Sequence, residues 1–243
     1  MDHLLELTER AQATHFWFNG FRRFVAPVLR DVARGRTDLS MVDCGCGTGH
    51  NLALLRPYGE PVGFDFSPLG VRHARGRGHP VVRADMLRMP FASGRFDLAV
   101  SFDVFACVDD DVAGIREMAR IVRPGGAVVL TLAALDVLSA DHAEIWQETR
   151  RYTPRTARAL VAQAGLRAER VSFMFASVFP LMLGVRLAQR LARPFRRVGG
   201  DADIHVPPVP LNAALTGLLT LEAAVSRRVP MPIGSSLLVV ARK

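Results

Sequence analysis

The stretch Met41 to Gly49, Met-Val-Asp-Cys-Gly-Cys-Gly-Thr-Gly, constrains this chain more than any other. Apolar residues lead through Asp43 into glycines at every second position, which predicts a buried strand turning sharply into a helix. Backbone amides at such a turn stay open to close approach by another molecule, so the stretch reads as a ligand loop. An ordinary strand-to-helix turn needs one or two glycines at most, and here Gly45, Gly47 and Gly49 follow one another.

The flanking sequence alternates strand and helix. Asn51 to Arg56 continues a helix that Pro57 and Gly59 stop. Pro61 to Asp65 reads as a second strand ending in an acidic residue, and Ser67 before Pro68 starts a helix reaching about Arg77. His79 to Asp85 is a third strand, again closed by aspartate, and Phe96 to Phe102 is a fourth. Val112, Ile115, Met118, Ala119 and Val122 recur at helical spacing before Arg123-Pro-Gly-Gly126. Ala127 to Ala133 is then apolar throughout, as suits a strand covered on both faces. This succession predicts a parallel sheet with covering helices. Beyond Leu135, Thr153 and Pro154 open a helix that Gly165 ends, and Leu166 to Phe175 and Ser235 to Arg242 are strand candidates. Val178 to Phe195 and Leu211 to Ser226 read as helices around a Gly-, Asp- and Pro-rich loop over Val198 to Pro210. Leu4 to Arg34 reads as one or two helices, with Pro27 marking a start or kink. The chain thus divides into an N-terminal helical cap (1–40), a ligand-binding core (41–135), and a C-terminal part of the same domain (136–243) with substrate-pocket helices and closing strands.

A chain of 243 residues, 49% of them hydrophobic, can bury one large core. No run of about 20 apolar residues occurs, and Met-Asp-His-Leu-Leu-Glu lacks the basic start of a signal peptide, so a cytoplasmic location is expected. Cys44, Cys46 and Cys107 make no disulfide framework, and no further Cys or His pair stands at ligand spacing, so no metal is expected. The net charge of +8 is nearly all arginine, Lys243 being the only lysine. The densest basic segments, Arg72 to Arg77 and Arg186 to Arg197, lack the alternation of basic and aromatic residues that stacks exposed bases, so nucleic acid is not an expected partner. The apolar, arginine-bearing stretch 181–197 instead suits peripheral contact with an anionic membrane surface. A monomer or a homodimer is expected.

Asp65 and Asp85 close successive strands, and ligands of parallel sheets bind across those ends. Asp65 lies about 20 residues beyond the loop glycines, the offset at which a carboxylate accepts hydrogen bonds from ribose hydroxyls, which points to adenosine. His50 stands where a dinucleotide fingerprint needs a small residue, and Asp43 would oppose a pyrophosphate while suiting an amino group. No Gly-Lys-Ser or Gly-Lys-Thr holds a triphosphate. Adenosine, an ammonium group and no phosphate describe S-adenosylmethionine.

With these residues in order, the chain resembles a class I S-adenosylmethionine-dependent methyltransferase of the small-molecule type. The resemblance runs from Val42 to Ala133 through Asp43-Cys-Gly45-Cys-Gly47-Thr-Gly49, Gly63-Phe-Asp65-Phe-Ser67, Arg83-Ala-Asp85-Met86, Phe96-Asp97-Leu-Ala-Val-Ser101 and Arg123-Pro-Gly-Gly126. It implies an α/β, Rossmann-like seven-stranded sheet of order 3-2-1-4-5-7-6 with strand 7 antiparallel, flanked by helices, with an N-terminal helical lid and a helical insertion before the last strand. It further implies that Asp43, Gly45, Cys46, Gly47 and Gly49 hold the methionine portion, with Gly45 allowing close backbone approach. Asp65 would bind the ribose with Phe66 beside the adenine, while Asp85 accepts from the adenine amino group and Met86 packs on its face. Ser101, Phe102 and Asp103 would border the methyl group and the acceptor.

Phe16-Trp17-Phe18 with Arg22-Arg23, and Arg150-Arg151-Tyr152-Thr153, resemble a bacterial branch of this family that carries Trp-Trp-Phe and His-x-Arg-Arg-Tyr-Thr segments. Trp17 and Arg23 are accordingly candidates for cofactor contact. Phe16 replaces the first tryptophan of that branch, and Glu148 stands where it has histidine. A hydroxyl acceptor would call for a general base, for which His15, His142, Tyr152 and Asp103 are the candidates. Phe173, Phe175, Phe179, Leu181 and Met182 make the region beyond Leu135 apolar, which favours a hydrophobic small-molecule acceptor. Two alternatives stay open: a non-catalytic scaffold module that keeps the cofactor site, and a methyltransferase acting on a membrane-associated lipid-like or a nucleic-acid substrate. Against a nucleic-acid substrate, Ser101-Phe-Asp-Val104 does not supply the Asn-Pro-Pro-Tyr motif of base-flipping enzymes.

Overall fold

The computed structural model describes residues 2–139, 141–192 and 205–243, with 2–4 and 141–142 described by their backbone alone. Seven strands form one sheet: β1 (Met41–Cys44), β2 (Pro61–Asp65), β3 (Val81–Arg83), β4 (Phe96–Phe102), β5 (Val122–Ala133), β6 (Arg167–Met174) and β7 (Ser236–Arg242). Their order is β3-β2-β1-β4-β5-β7-β6. β1 to β5 pair in parallel, and β7 inserts antiparallel between β5 and β6. This is the sheet that the resemblance implied. Parallel strands need crossovers that put helices on both faces, which is why β1 and most of β4 and β5 are continuously buried.

The helices are α1 (Asp2–Ala11), α2 (Phe16–Ala33), α3 (Leu52–Leu55), α4 (Pro68–Gly76), α5 (Asp111–Ile121), α6 (Asp141–Ile145), α7 (Pro154–Gln163), α8 (Phe179–Ala192) and α9 (Val209–Ser226). Polar side chains cap several of the helix starts: Ser67 Oγ accepts from Gly70 N at 3.2 Å, and Asp110 Oδ1 from Ala113 N at 2.8 Å. Thr153 and Thr156 exchange hydrogen bonds as a capping box at the start of α7.

Several boundaries differ from the sequence expectation. The N-terminal segment is two helices, and Pro27 lies inside α2. Arg123-Pro-Gly-Gly126 stops α5 yet runs on as the irregular start of β5, where the register with β4 shifts between Phe96 and Leu98. Asp97 pins that irregularity, accepting from Ser40 N at 2.8 Å and pairing with Arg36 at 2.7 Å and Arg123 at 2.6 Å. The short α6 carried no periodic signal. α8 ends at Ala192, and the expected continuation to Phe195, with most of the Gly- and Pro-rich loop after it, lies outside the described residues.

The sheet separates two cores. On one face Val42, Cys44, Leu130 and Val239 pack with Ile115 and Met118 of α5 and Val161 of α7. On the other, Met41, Leu98, Val100, Phe102 and Val129 pack against Phe21, Phe24, Val25 and Val28 of α2 and Leu219 of α9. Each such fully buried side chain contributes roughly 1.5–3 kcal/mol. The second face also carries the site.

Candidate functional site

The glycine loop leaves the carboxyl end of β1 and is fastened to β2, where the Phe64 carbonyl accepts from both Gly45 N and Cys46 N at 2.9 Å. Gly45, Gly47 and Gly49 have φ of +78°, +52° and +83°, a region that disfavours any side chain. Their surroundings give them different roles. A Cβ on Gly45 would meet Val104 Cγ2 at 2.6 Å, so the packing of Val104 is a reason for glycine here in addition to the positive φ. A Cβ on Gly49 would meet Ala74 of α4 at 2.8 Å, which makes Gly49 the contact between loop and helix. A Cβ on Gly47 meets nothing within 4 Å. Gly47 is thus the loop position open to another molecule. Cys46 is buried with its sulfur toward Gly63, where an added Cβ would lie 2.9 Å from it, so Cys46 offers a ligand only its backbone.

Two carboxylates stand behind the loop. Asp65, at the end of β2, accepts from Gly47 N at 2.7 Å through Oδ2 and from Ser67 N at 2.8 Å through Oδ1, fixing the loop and the start of α4 at once. Burial pushes its pKa up, and hydrogen bonds from these amides act against that. Asp43 is 1% exposed, and among the described residues neither carboxylate oxygen has a hydrogen-bond partner. Burial first, and the charge of Asp65 second, push its pKa up to about 8. A buried polar group left unpaired costs about 1–3 kcal/mol, so an orphaned carboxyl beside an open glycine loop is a demand for a cationic or hydrogen-bond-donating partner. Phe66 presents an exposed ring with the Arg83 guanidinium 5.5 Å from its centroid. Asp85 is exposed beyond β3 and accepts from Leu87 N at 2.8 Å, while Met86 is buried beneath it. Ser101 Oγ donates to the Cys44 carbonyl at 2.8 Å and ties β4 to β1. An ammonium group for Asp43, a glycine with free space, and an exposed aromatic ring next to an acidic strand end fit S-adenosylmethionine.

The N-terminal helices cover this loop through contacts that the sequence did not signal. Gln12 Oε1 accepts from Thr48 Oγ1 at 2.9 Å, and Arg22 donates to the Gln12 carbonyl at 2.9 Å. Glu9 pairs with Arg77, the residue that ends α4, and with His50 at 3.3 Å. Arg22 therefore connects α2 to the loop, while Arg23, the candidate for cofactor contact, is exposed. Trp17 stacks on Phe175 at 3.9 Å, and Phe21 meets Phe102 edge-on at 5.2 Å. These aromatic pairs roof the second sheet face beside the carboxyl end of β4.

The general-base candidates fare differently. His15 is buried as the N-cap of α2: its Nδ1 accepts from Trp17 N at 3.1 Å, its other side bonds the His205 backbone, and burial lowers its pKa. Its lone pair is spent on the cap, which corrects its expected role. Tyr152 is 4% exposed and donates to Asp111 Oδ2 at 2.8 Å. Burial, then that hydrogen bond, hold its hydroxyl in the protonated form, so Tyr152 secures α5 and is no base. The side chain of His142 lies outside the described residues. Asp103 is exposed just past β4 with φ of +60°, an uncommon conformation for a residue with a side chain. Glu148, where the bacterial branch has histidine, pairs with Arg151 at 2.5 Å.

Comparisons with known proteins place these features. Residues 42–130 match the family model described as a methyltransferase domain. A demethylmenaquinone methyltransferase of Corynebacterium kroppenstedtii is 40% identical over 91 residues, which cover 37% of this chain and 40% of that protein. A mouse (Mus musculus) protein named "Probable tRNA methyltransferase 9B" is 31% identical over 124 residues, covering 49% of this chain and 28% of the relative. The chain spans less than half the length of these relatives. Phosphoethanolamine N-methyltransferase 2 of Haemonchus contortus, solved with S-adenosyl-L-methionine, superposes with a TM-score of 0.64 at 16% identity, covering 100% of this chain and 57% of that one, a likeness of fold. Because the matched span 42–130 is the span that carries the glycine loop, Asp65 and Asp85 on this sheet, residues 42–130 form a methyltransferase domain on the class I, Rossmann-like methyltransferase fold, and S-adenosylmethionine is the cofactor this site fits.

Proposed function

We propose that the protein methylates a small apolar acceptor at the carboxyl ends of β1 and β4. The observation that carries the reading is the buried, unpartnered Asp43 carboxyl at the end of β1, within electrostatic reach of Asp65, which in turn holds the open Gly47 through its amide. Bound there, S-adenosylmethionine supplies an electrophilic methyl group on a sulfonium. Transfer is an in-line displacement, so this chain's task is to align the partners and exclude water, with no covalent protein group. In this reading Asp43 accepts from the ammonium group, the Gly47 backbone lies against the methionine portion, Asp65 receives the ribose hydroxyls, and Phe66 and Met86 flank the adenine. Trp17, Phe21, Phe102 and Phe175 supply an aromatic wall, which suits an apolar acceptor. For a hydroxyl acceptor Asp103 and His142 remain the base candidates, given the bonds that hold His15 and Tyr152. The Corynebacterium relative is named for demethylmenaquinone, in keeping with such an acceptor, whereas the mouse relative is named for tRNA.

Calorimetric titration with S-adenosylhomocysteine tests the site. Gly47→Val and Asp65→Ala each abolish binding while the variants still melt cooperatively; unchanged affinity in both refutes the assignment. Incubating cell extract with methyl-labelled cofactor tests the acceptor. Label in the organic phase supports the proposal, and label confined to RNA overturns it.

A further inference from the structure

We propose that α9, with the outer face of α8, docks on an anionic lipid bilayer. α9 is 18 residues long and its one charged residue, Glu222, is turned inward. Glu222 accepts from Ala176 N at 2.7 Å, Ser177 N at 2.8 Å and Ser177 Oγ at 2.5 Å, which ties α9 to the segment that opens α8. Leu219 and Ala223 face inward too, in the core shared with α2. The outward side is apolar, with Val209, Leu211, Leu218, Leu221 and Val225 all exposed, and α8 adds Leu181, Leu187 and Leu191. Single exposed apolar residues are ordinary on a protein surface, but such a run on two linked helices marks a contact face.

The polar residues of α9 are already satisfied. Thr216 Oγ1 donates to the Asn212 carbonyl and Thr220 Oγ1 to the Thr216 carbonyl, each at 2.8 Å. Asn212 accepts from Phe16 N at 2.8 Å and donates to the Thr14 carbonyl at 2.9 Å. Hydroxyls bonded within their own helix bring no unmet hydrogen-bonding demand into an apolar phase. At about 1.5 Å per residue the helix is long enough to cross a bilayer, but its packing on α2 and the inward Glu222 hold it flat on a surface.

Charge selects the occupant. Residues 171–243 contain eight arginines and Lys243 against three acidic residues, Asp201, Asp203 and Glu222, so the apolar helices lie in a basic part of the chain. Arg227 and Arg228 are exposed directly after α9, and Arg190 is on α8. Arg193, Arg196 and Arg197 follow, outside the described residues. A second copy of this face would meet like charge, whereas anionic headgroups attract it and the acyl region receives the leucines.

Co-sedimentation with vesicles of phosphatidylglycerol and phosphatidylcholine tests the proposal, with pure phosphatidylcholine vesicles and tRNA as parallel arms. The full chain is expected to pellet with the anionic vesicles, to be partly released by salt, and to bind phosphatidylcholine about tenfold or more weakly. Leu218→Glu with Leu221→Glu abolishes pelleting, and Arg227→Glu with Arg228→Glu weakens it and flattens its salt dependence. Both double variants keep their affinity for S-adenosylhomocysteine, because none of these residues belongs to the cofactor site. Four outcomes overturn the proposal: no pelleting on anionic vesicles, equal pelleting of the leucine variant, a dimer that the leucine variant converts to monomer without vesicle binding, or retention by tRNA alone. Measuring S-adenosylhomocysteine binding on the same preparations separates a failure of docking from a failure of the cofactor reading.

Discussion

Asp43 offers the sharpest quantitative prediction because its charge state must differ between the free and the liganded protein. A solvated aspartate has a pKa near ~3.9, and burial lifts that of Asp43 to about 8, a difference worth at most roughly 5–6 kcal/mol at about 1.4 kcal/mol per pH unit. The folded chain holds this proton more tightly than the unfolded chain. The stability it confers is therefore complete below pH ~4, declines as pH rises from about 4 to about 8, and is gone above that. At pH 7 the free protein carries Asp43 mostly protonated. An ammonium group binds best to the ionised form, so cofactor binding near pH 6 to 7 must expel close to one proton. Affinity then climbs about tenfold per pH unit up to pH ~8 and levels off, a gain of about a hundredfold between pH 6 and 9. Titrating S-adenosylhomocysteine calorimetrically in buffers of different ionisation enthalpy reads affinity and proton release together. Asp43→Asn keeps the volume and removes the charge. Its binding is weaker at pH 8 and flat from pH 6 to 9, and its apoprotein melts higher at pH 8, by about 2–4 °C for each kcal/mol recovered. Equal wild-type affinity at pH 6 and 8 with no proton released would refute the assignment of Asp43 to the ammonium group.

The loop and the former base candidate give two further tests. Gly49→Ala drives a Cβ to 2.8 Å from Ala74 at a φ of +83°, so it lowers stability by about 2–4 kcal/mol in urea unfolding, whereas Gly47→Ala, with free space around it, costs only about 1–2 kcal/mol. Equal losses in the two variants would contradict the division of roles between these glycines. Tyr152→Phe removes the donor to Asp111 and lowers stability by about 1.5–3 kcal/mol, while the pH profile of methyl transfer stays in place. A shifted profile would restore Tyr152 to the chemistry.

What the sequence made legible is what nearby residues decide. The glycine spacing, the Ser67 and Thr153 caps and the acidic end of β2 are local patterns, and each stands where expected, whereas β3 stops at Arg83 and leaves Asp85 two residues beyond it. The place of Asp65 was readable because a single crossover helix separates the loop from β2. The reasons behind individual residues were not readable, since they depend on partners far along the chain. Gly45 has Val104 packed against it, Thr48 is held by Gln12, and Tyr152 is engaged by Asp111. A titratable side chain at a site mouth looks the same in sequence whether it serves as a base or as a cap, so His15 and Tyr152 could be sorted only by their hydrogen-bond partners. Helical periodicity left open whether Pro27 starts α2 or kinks it, and the proline lies inside the helix because packing of Phe24, Val25 and Val28 on the sheet outweighs the lost backbone bond.

The two faces of the sheet show why the chemistry belongs on one side. On β1 and β5, Val42, Cys44, Leu130 and Leu132 point into the core under α5 and α7, a uniformly apolar layer. Alternation then sends Asp43 and Thr131 to the opposite face, under α2. Both are buried, and both carry oxygen atoms without a hydrogen-bond partner among the described residues. A chain selected for stability alone would gain by placing valine at either position, since each orphaned group costs free energy in the folded state. The apolar layer behind them fixes the strands in register, and the N-terminal helices shut water out above them. A ligand that enters between sheet and helices meets groups already stripped of solvent, so pairing with them costs little further desolvation.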